Sequence, residues 1–327
     1  MYIHLKKNIN KKEKNEVIKQ LKEMHFEIDD VSTKEEGLLF INQEVELPHI
    51  HNVVKVTRDY FPYRNSSILN ELVSIKVKDI VINRDTFTII AGPCSVESNE
   101  QIKSIVDDIK DNMHILRGGA FKPRTSPFEF QGLKMDGLEI LKQECQNKPI
   151  ITEITSVDDI KYFEQNVDII QVGARNMQNF DLLKKLGKVS KPILLKRGLS
   201  NTIHEWLSSA EYIMSGGNKQ VILCERGIRT FENFTRNTLD LSAVVAVKEI
   251  SCLPVIVDPS HAAGKYWMIE KLTKAALAVG ADGIMIEVHN DPENALSDGP
   301  QSIKPKDFNK IIEDVKVLAP HFNKKVM

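Results

Sequence analysis

This sequence has no excess of either charge, no long apolar run and no paired cysteines. Its 44 lysines and arginines face 45 acidic residues, a formal net charge of −1. Global attraction to nucleic acid or to an anionic membrane is thereby excluded, and any bound anion must be held by a local cluster of cations. No stretch approaches the roughly 18 apolar residues of a membrane span. The opening MYIHLKKNINKKEK lacks the apolar centre of a signal peptide. Cys94, Cys145, Cys224 and Cys252 have no spacing that suggests a disulfide framework or a zinc knuckle, so a reduced cytoplasmic setting is expected. Long-period repeats are absent, and no apolar run leads into a Gly-x-Gly-x-x-Gly turn. What remains is an ordinary globular composition, 42% hydrophobic and 27% charged, over 327 residues, more than the about 250 of a single barrel.

From about residue 87 one pattern recurs: an apolar run, a turn, an amphipathic stretch, another apolar run. The runs are FTIIAG (87–92), HILRG (114–118), PIITEI (149–154), DIIQVG (168–173), PILLKRG (192–198), VILCERG (221–227), PVIVDPS (254–260) and GIMIEVH (283–289). They are rich in Ile, Val and Leu without polar alternation, as parallel strands buried on both faces are. Between them lie helical patterns such as 201–218, with Ile203, Trp206, Leu207, Ala210 and Ile213 at helical spacing and glycines after it. Eight such units predict an α/β protein with a closed (β/α)8 TIM barrel; an open doubly wound sheet is the alternative.

Ahead of the barrel, residues 2–6, 26–30, 37–41 and 52–57 read as strands and 13–24 as a Lys/Glu-rich helix. This is a small α+β module resembling a ferredoxin-like regulatory unit whose second helix is reduced to ELPHI or lost. Residues 58–71 read as a linker, and 73–77 with 79–83 as a hairpin plugging the N-terminal end of the barrel. The expected domains are 1–65, the reduced module and linker, and 66–327, the barrel with its hairpin.

Reacting groups in such a barrel sit at the C-terminal strand ends and in the loops that follow. Cys94 (AGPCS), His261 (DPSH), Glu287 (IEVH) and Asp298 (ALSDG) follow runs one, seven and eight, which become neighbours when a barrel closes. A thiolate, an imidazole and two carboxylates can hold a divalent transition metal. Spacing alone leaves open whether they are instead four unrelated loop residues. A second set is cationic: Arg117, Lys122, Arg124, Arg175, Lys196, Arg197, Arg226 and Arg229. Gathered at one end of a nearly neutral protein, they would suit phosphate and carboxylate groups. The competing reading is a solvated charged rim, which is weaker where cations end buried strands and need compensation.

GPCSVE, LRGGAFKPRTSPFEFQG, VGARNMQNF, LLKRG, ILCERGIRTFE, VDPSHAAG and EVHNDPENALSDGPQS closely resemble 3-deoxy-D-arabino-heptulosonate 7-phosphate (DAHP) synthases. The type resembled is the short one, whose barrel is similar to that of 3-deoxy-octulosonate 8-phosphate synthase, and the likeness covers about residues 73–320. It implies a metal-dependent condensation of phosphoenolpyruvate with erythrose 4-phosphate, the first step of the shikimate pathway. Cys94, His261, Glu287 and Asp298 match the ligands of one divalent metal ion (Mn, Fe, Zn or Co). Arg117, Lys122, Arg175, Lys196 and Arg226 match the phosphoenolpyruvate site. Arg124, Thr125 and Ser126 match the aldose phosphate site. Lys122, between the two substrate positions, is the expected proton donor. The resemblance also implies a homotetramer and an aromatic amino acid feedback ligand at the N-terminal module.

Two rivals remain. An eight-carbon synthase using arabinose 5-phosphate carries Lys-Ala-Asn-Arg-Ser-Ser where this chain has KPRTSP, and a catalytically silent scaffold barrel need not keep both residue sets. Arg197 and Arg229 receive no firm role. His289 reads as structural, His204 as exposed, and Glu153 as a partner for a neighbouring cation. Cys145, Cys224 and Cys252 read as small core residues, and Trp206 and Trp267 as helix packing.

Overall fold

A computed structural model of the chain describes residues 1–32, 37–41, 43, 45–57, 63, 65–68, 70–124 and 126–326. The N-terminal module consists of β1 (Tyr2–Leu5), α1 (Lys11–Glu23), β2 (Ile28–Asp30), β3 (Leu38–Ile41) and β4 (Val53–Thr57). Its antiparallel sheet has the order β2-β3-β1-β4, the order expected of a ferredoxin-like unit. Asn10 and Glu13 form a capping box at the start of α1, which buries Val17 and Leu21 against Ile3, Leu39 and Ile41. Residues 46–50 form no helix. Five residues including Pro48 are too few to nucleate one; Ile50 drops into the core and Leu47 packs against it, partly buried.

The expected linker is partly a strap. Arg58–Pro62, Arg64 and Leu69 lie outside the described residues. The hydroxyl of Tyr63 is 2.9 Å from His204 Nδ1. Glu211 accepts the backbone N–H groups of Asn65 at 3.0 Å and Ser66 at 2.7 Å. The carbonyls of Ser66 and Ile250 hold the backbone N–H groups of Cys252 and Ile68. From Tyr63 onward the described chain therefore belongs physically to the barrel.

A hairpin of β5 (Ile75–Val77) and β6 (Ile80–Ile82) comes next. The barrel then runs β7 (Thr88–Gly92), α2 (Asn99–Ile109), β8 (Ile115–Arg117), α3 (Met135–Glu144), β9 (Ile150–Ile154), α4 (Ile160–Asn166), β10 (Ile169–Val172) and α5 (Phe180–Leu186). It continues through β11 (Ile193–Lys196), α6 (Ile203–Ser215), β12 (Val221–Glu225), α7 (Leu241–Ile250), β13 (Val255–Val257), α8 (Pro259–Ala263), α9 (Ile269–Ala278), β14 (Gly283–Glu287) and α10 (Pro305–Leu318). The eight parallel strands β7–β14 close in sequence order, β14 pairing with β7 from Gly283↔Thr88 to Glu287↔Gly92.

The interior of the barrel explains where the site must be. Ile90, Ile115, Ile151, Ile169, Leu194, Ile222, Ile256 and Met285 form one inward cluster, with Ile75, Val77, Ile80 and Ile82 of the hairpin packed onto it. The hairpin is the plug that the sequence predicts. Side chains two residues further along a strand point the same way. Above the apolar layer therefore come Gly92, Arg117, Glu153, Gln171, Lys196, Cys224, Asp258 and Glu287. At the opposite end, Asp282 accepts Lys248 Nζ at 2.6 Å, Lys324 Nζ at 2.5 Å and the Val255 N–H at 2.8 Å, tying the C-terminal segment to the barrel floor. No helix among the described residues is long and apolar enough to cross a membrane.

Candidate active site

The four residues proposed from the loops do converge. One ligand atom from each of Cys94, His261, Glu287 and Asp298 lies within 4.8 Å of all the others. Cys94 Sγ is 3.2 Å from Asp298 Oδ2, and His261 Nε2 is 3.3 Å from Glu287 Oε1 and 4.0 Å from Asp298 Oδ2. Bonds of about 2.0–2.3 Å to a tetrahedral metal set its donors about 3.3–3.8 Å apart, so the residues present fit a divalent ion in spacing and in donor chemistry. Each is fixed by local structure. Asp258 caps α8 by accepting the His261 N–H, and its Oδ2 lies 2.8 Å from His261 Nδ1. Ser260 Oγ accepts the Glu287 N–H at 3.0 Å. Asp298 has φ of 56°, a left-handed conformation that Asp tolerates better than most residues.

Protonation states follow from burial and neighbouring charge. Burial pushes the His261 imidazole down, against the pull of Asp258 and Glu287, and so favours the neutral form that binds metals. Burial opposes ionisation of Asp258, yet His261 and Lys196 hold it well below the ordinary carboxylate range. Burial likewise works against Glu287, and His261 and Arg117 outweigh it. The Cys94 thiol is pushed up by burial and Glu287, with Lys122 and Arg117 pulling the other way; Lys122 Nζ sits 2.9 Å from its sulfur.

Above this group opens a cavity of about 230 Å³ lined by Arg117, Lys122, Arg124, Arg175, Lys196, Arg226 and Arg236, with Glu129, Glu153, His261 and Asp298 among the other walls. Seven cations against three carboxylates make it an anion site. Three of the cations are spoken for: Arg117 donates to Glu287 at 2.5 Å, Lys196 to Asp258 at 2.7 Å and Arg236 to Asp298 at 3.0 Å. Among the described residues, Arg175 and Arg226 have no carboxylate within salt-bridge distance. Burial accordingly pushes the Arg226 guanidinium down. Arg226 is buried and donates to the Gly227 carbonyl at 3.5 Å, and a buried cation without a counter-ion calls for an anionic ligand.

Not every expected residue joins the cavity. Ser126 is not among its lining residues, and its hydroxyl accepts the Phe128 N–H at 3.3 Å. Thr125 lies outside the described residues. Arg197 points away from the barrel axis to Glu225 and Asp240, 2.9 Å from each, and Arg229 is exposed. Glu153 lines the cavity and accepts Gln171 Nε2 at 3.0 Å, an amide rather than the cation expected. His289 is buried beside Gln101, and His204 is exposed but bonded to Tyr63. Cys224 and Cys252 are core residues, whereas Cys145 is half-buried. Trp206 is buried in α6; Trp267 is 54% exposed and packs at its edge against Phe234 rather than into a helix interface.

Sequence reasoning missed Asp258, Arg236 and Gln301. The first was legible, two residues beyond Ile256 and so inward-facing. The other two lie in loops with no periodicity to betray them.

A family model described as the DAHP synthetase I family matches residues 65–321. A phospho-2-dehydro-3-deoxyheptonate aldolase from Thermotoga maritima is 48% identical over 280 residues, 85% of this chain and 82% of its own. A crystal structure of phospho-2-dehydro-3-deoxyheptonate aldolase (DAHP synthase) from the same organism superposes with a TM-score of 0.81 at 42% identity, covering 100% of this chain and 99% of that one. More distantly, a 2-dehydro-3-deoxyphosphooctonate aldolase from Geobacter sulfurreducens is 30% identical over 251 residues, 70% of this chain and 91% of its own.

Proposed function

The chain belongs to the DAHP synthetase I family, and from that premise we propose that it condenses phosphoenolpyruvate with erythrose 4-phosphate and water, giving DAHP and phosphate. The observation that carries this reading is the pairing of two arginines without a carboxylate partner among the described residues, Arg175 and Arg226, with a four-residue ligand group on the floor of the same cavity. The higher identity to the heptonate enzyme than to the octonate one favours the four-carbon aldose.

Cys94, His261, Glu287 and Asp298 would hold one divalent ion (manganese, iron, zinc or cobalt), which supplies Lewis acidity toward the aldehyde oxygen or the attacking water. Arg117, Lys122, Arg175, Lys196 and Arg226 hold the carboxylate and phosphate of phosphoenolpyruvate. Arg124, with Thr125 next to it in the sequence, takes the aldose phosphate. These cations bring two like-charged molecules into one cavity and convert their encounter into an effectively intramolecular reaction. Carbon three of phosphoenolpyruvate then attacks the aldehyde carbon. Lys122 Nζ, anchored 3.0 Å from the Cys94 carbonyl, gives its proton to the forming alkoxide. Water adds at carbon two, and the hemiketal collapses with loss of phosphate. The same reading takes 1–65 and 66–327 as regulatory and catalytic domains. It adds a cytoplasmic homotetramer and an aromatic amino acid feedback ligand at the module; the free cysteines support the compartment, and the sheet order supports the module.

Chelator-stripped protein should consume phosphoenolpyruvate with erythrose 4-phosphate only after manganese is restored, and Cys94→Ala should lose that restoration. Preference for arabinose 5-phosphate would overturn the aldose assignment, and no turnover with either sugar would favour a scaffold.

A further inference from the structure

One side chain outside the ligand group reaches one of its carboxylates directly and the other through an amide. Arg236 lies in the loop between β12 and α7, where its Nη1 is 3.0 Å from Asp298 Oδ1 and donates to Gln301 Oε1 at 2.7 Å. Gln301 is 2% exposed, and its Nε2 donates to Glu287 Oε2 at 2.6 Å. Only this amide orientation serves both neighbours, because a guanidinium can only donate and a carboxylate can only accept. The same segment also grips the turn that carries the imidazole ligand. The Arg236 N–H bonds to Ala263 O at 3.1 Å, the Asn237 N–H to Ala262 O at 2.8 Å, and Asn237 Nδ2 to His261 O at 2.9 Å. Gly264, with φ of 67°, permits the close approach: a Cβ there would lie 2.6 Å from Arg236 Cβ.

We propose that Arg236, acting directly on Asp298 and through Gln301 on Glu287, is a positioning residue that sets the two carboxylates for a divalent metal. This rests on the metal reading given above. The physical need is specific. Asp298 sits in a loop with a left-handed backbone, and each carboxylate must present one oxygen to the ion while its other oxygen is held. Arg236 takes the outer oxygen of Asp298, Oδ1, leaving Oδ2 facing Cys94 and His261. Gln301 takes Glu287 Oε2, leaving Oε1 facing His261, where Arg117 also donates to it at 2.5 Å.

The sign of the effect separates positioning from charge. Coulomb repulsion alone predicts that removing a cation beside a divalent site tightens metal binding. Positioning predicts the opposite. Cobalt(II) titration of the stripped full-length chain, followed by the Cys94 thiolate-to-cobalt absorption band, measures the dissociation constant without turnover. Arg236→Gln and Gln301→Ala should each raise it about 10–100-fold, and the double variant should cost less than the product of the two. Arg236→Lys, which keeps the charge and loses the fork, should also weaken binding, while Arg229→Gln on the same loop should not. Unchanged thermal midpoints of the stripped variants would exclude misfolding as the cause. Tighter or unchanged cobalt binding in Arg236→Gln and Gln301→Ala, above all with a raised KM for the aldose phosphate, would overturn the proposal and make Arg236 a substrate contact. Failure of the wild-type chain to bind cobalt would instead sink the metal reading, and this inference with it.

Discussion

Arg117 shows how one residue serves stability and chemistry together. Its guanidinium is 3% exposed and donates to the Pro93 carbonyl at 3.0 Å and to Glu287 at 2.5 Å. Replacing it by Met would leave Glu287, fully buried, without its cation. Removing one partner of a buried pair costs roughly 3–5 kcal/mol, so urea unfolding of stripped Arg117→Met should show a loss of that order. Arg229→Gln, at an exposed position, should stay within roughly 0.5 kcal/mol of wild type. A small loss in Arg117→Met would mean that the carboxylate relaxes to solvent or takes up a proton. The identities of such residues were legible, because Arg117, Lys196 and Glu287 end apolar runs. Their partners were not. Glu225 pairs outward with Arg197, and nothing in VILCERG distinguishes its direction from that of Cys224 until the register of β12 is fixed.

At the scale of elements, period-two alternation within each strand does the positioning. Every strand places an Ile, Leu or Met in the lower inward layer and a residue with chemical or steric use two positions later. Gly92 is there because a Cβ would meet the Arg117 carbonyl oxygen at 2.0 Å. Outside the barrel, α6 is held by Trp206, fully buried and donating its indole N–H to the Leu195 carbonyl at 3.1 Å. Trp206→Ala should destabilise by about 3–5 kcal/mol, and because Leu195 precedes Lys196 it should also weaken phosphoenolpyruvate binding. Thr202→Ala, which removes only the capping box of α6, should cost about 1 kcal/mol and leave binding unchanged. Equal losses in both variants, measured by thermal unfolding and isothermal titration, would argue against α6 as the support of that strand end.

For the whole molecule, the floor of the barrel carries a pH dependence of its own. Burial pushes the Lys248 ammonium down to about 8 from its ordinary 10.5, against the pull of Asp282. Between those values the unfolded chain keeps a proton that the folded chain sheds. Stability from this residue therefore rises with pH through that window and is lost as pH falls through 8. The unfolding free energy of wild type should gain on that of Lys248→Met between pH 7 and 10, by at most roughly 3 kcal/mol. A difference flat across that range would show that Asp282 keeps the ammonium charged throughout.

The sequence by itself determined the barrel, its plug, the module without a second helix, and the composition of the ligand group. Each of these is written in local periodicity, in turn chemistry or in long motifs, and short-range physics reads them directly. Tertiary structure alone decided which cations remain unpaired over the ligand group, that Tyr63 and the described residues after it strap onto the barrel, and that Arg236 and Gln301 reach Asp298 and Glu287. Those facts depend on which loops meet when β14 closes onto β7. The residues involved lie 14 to 141 positions apart, as with Gln301 and Glu287 at 14, Arg236 and Gln301 at 65 and Tyr63 and His204 at 141, and no pattern within one segment encodes which distant partner will arrive.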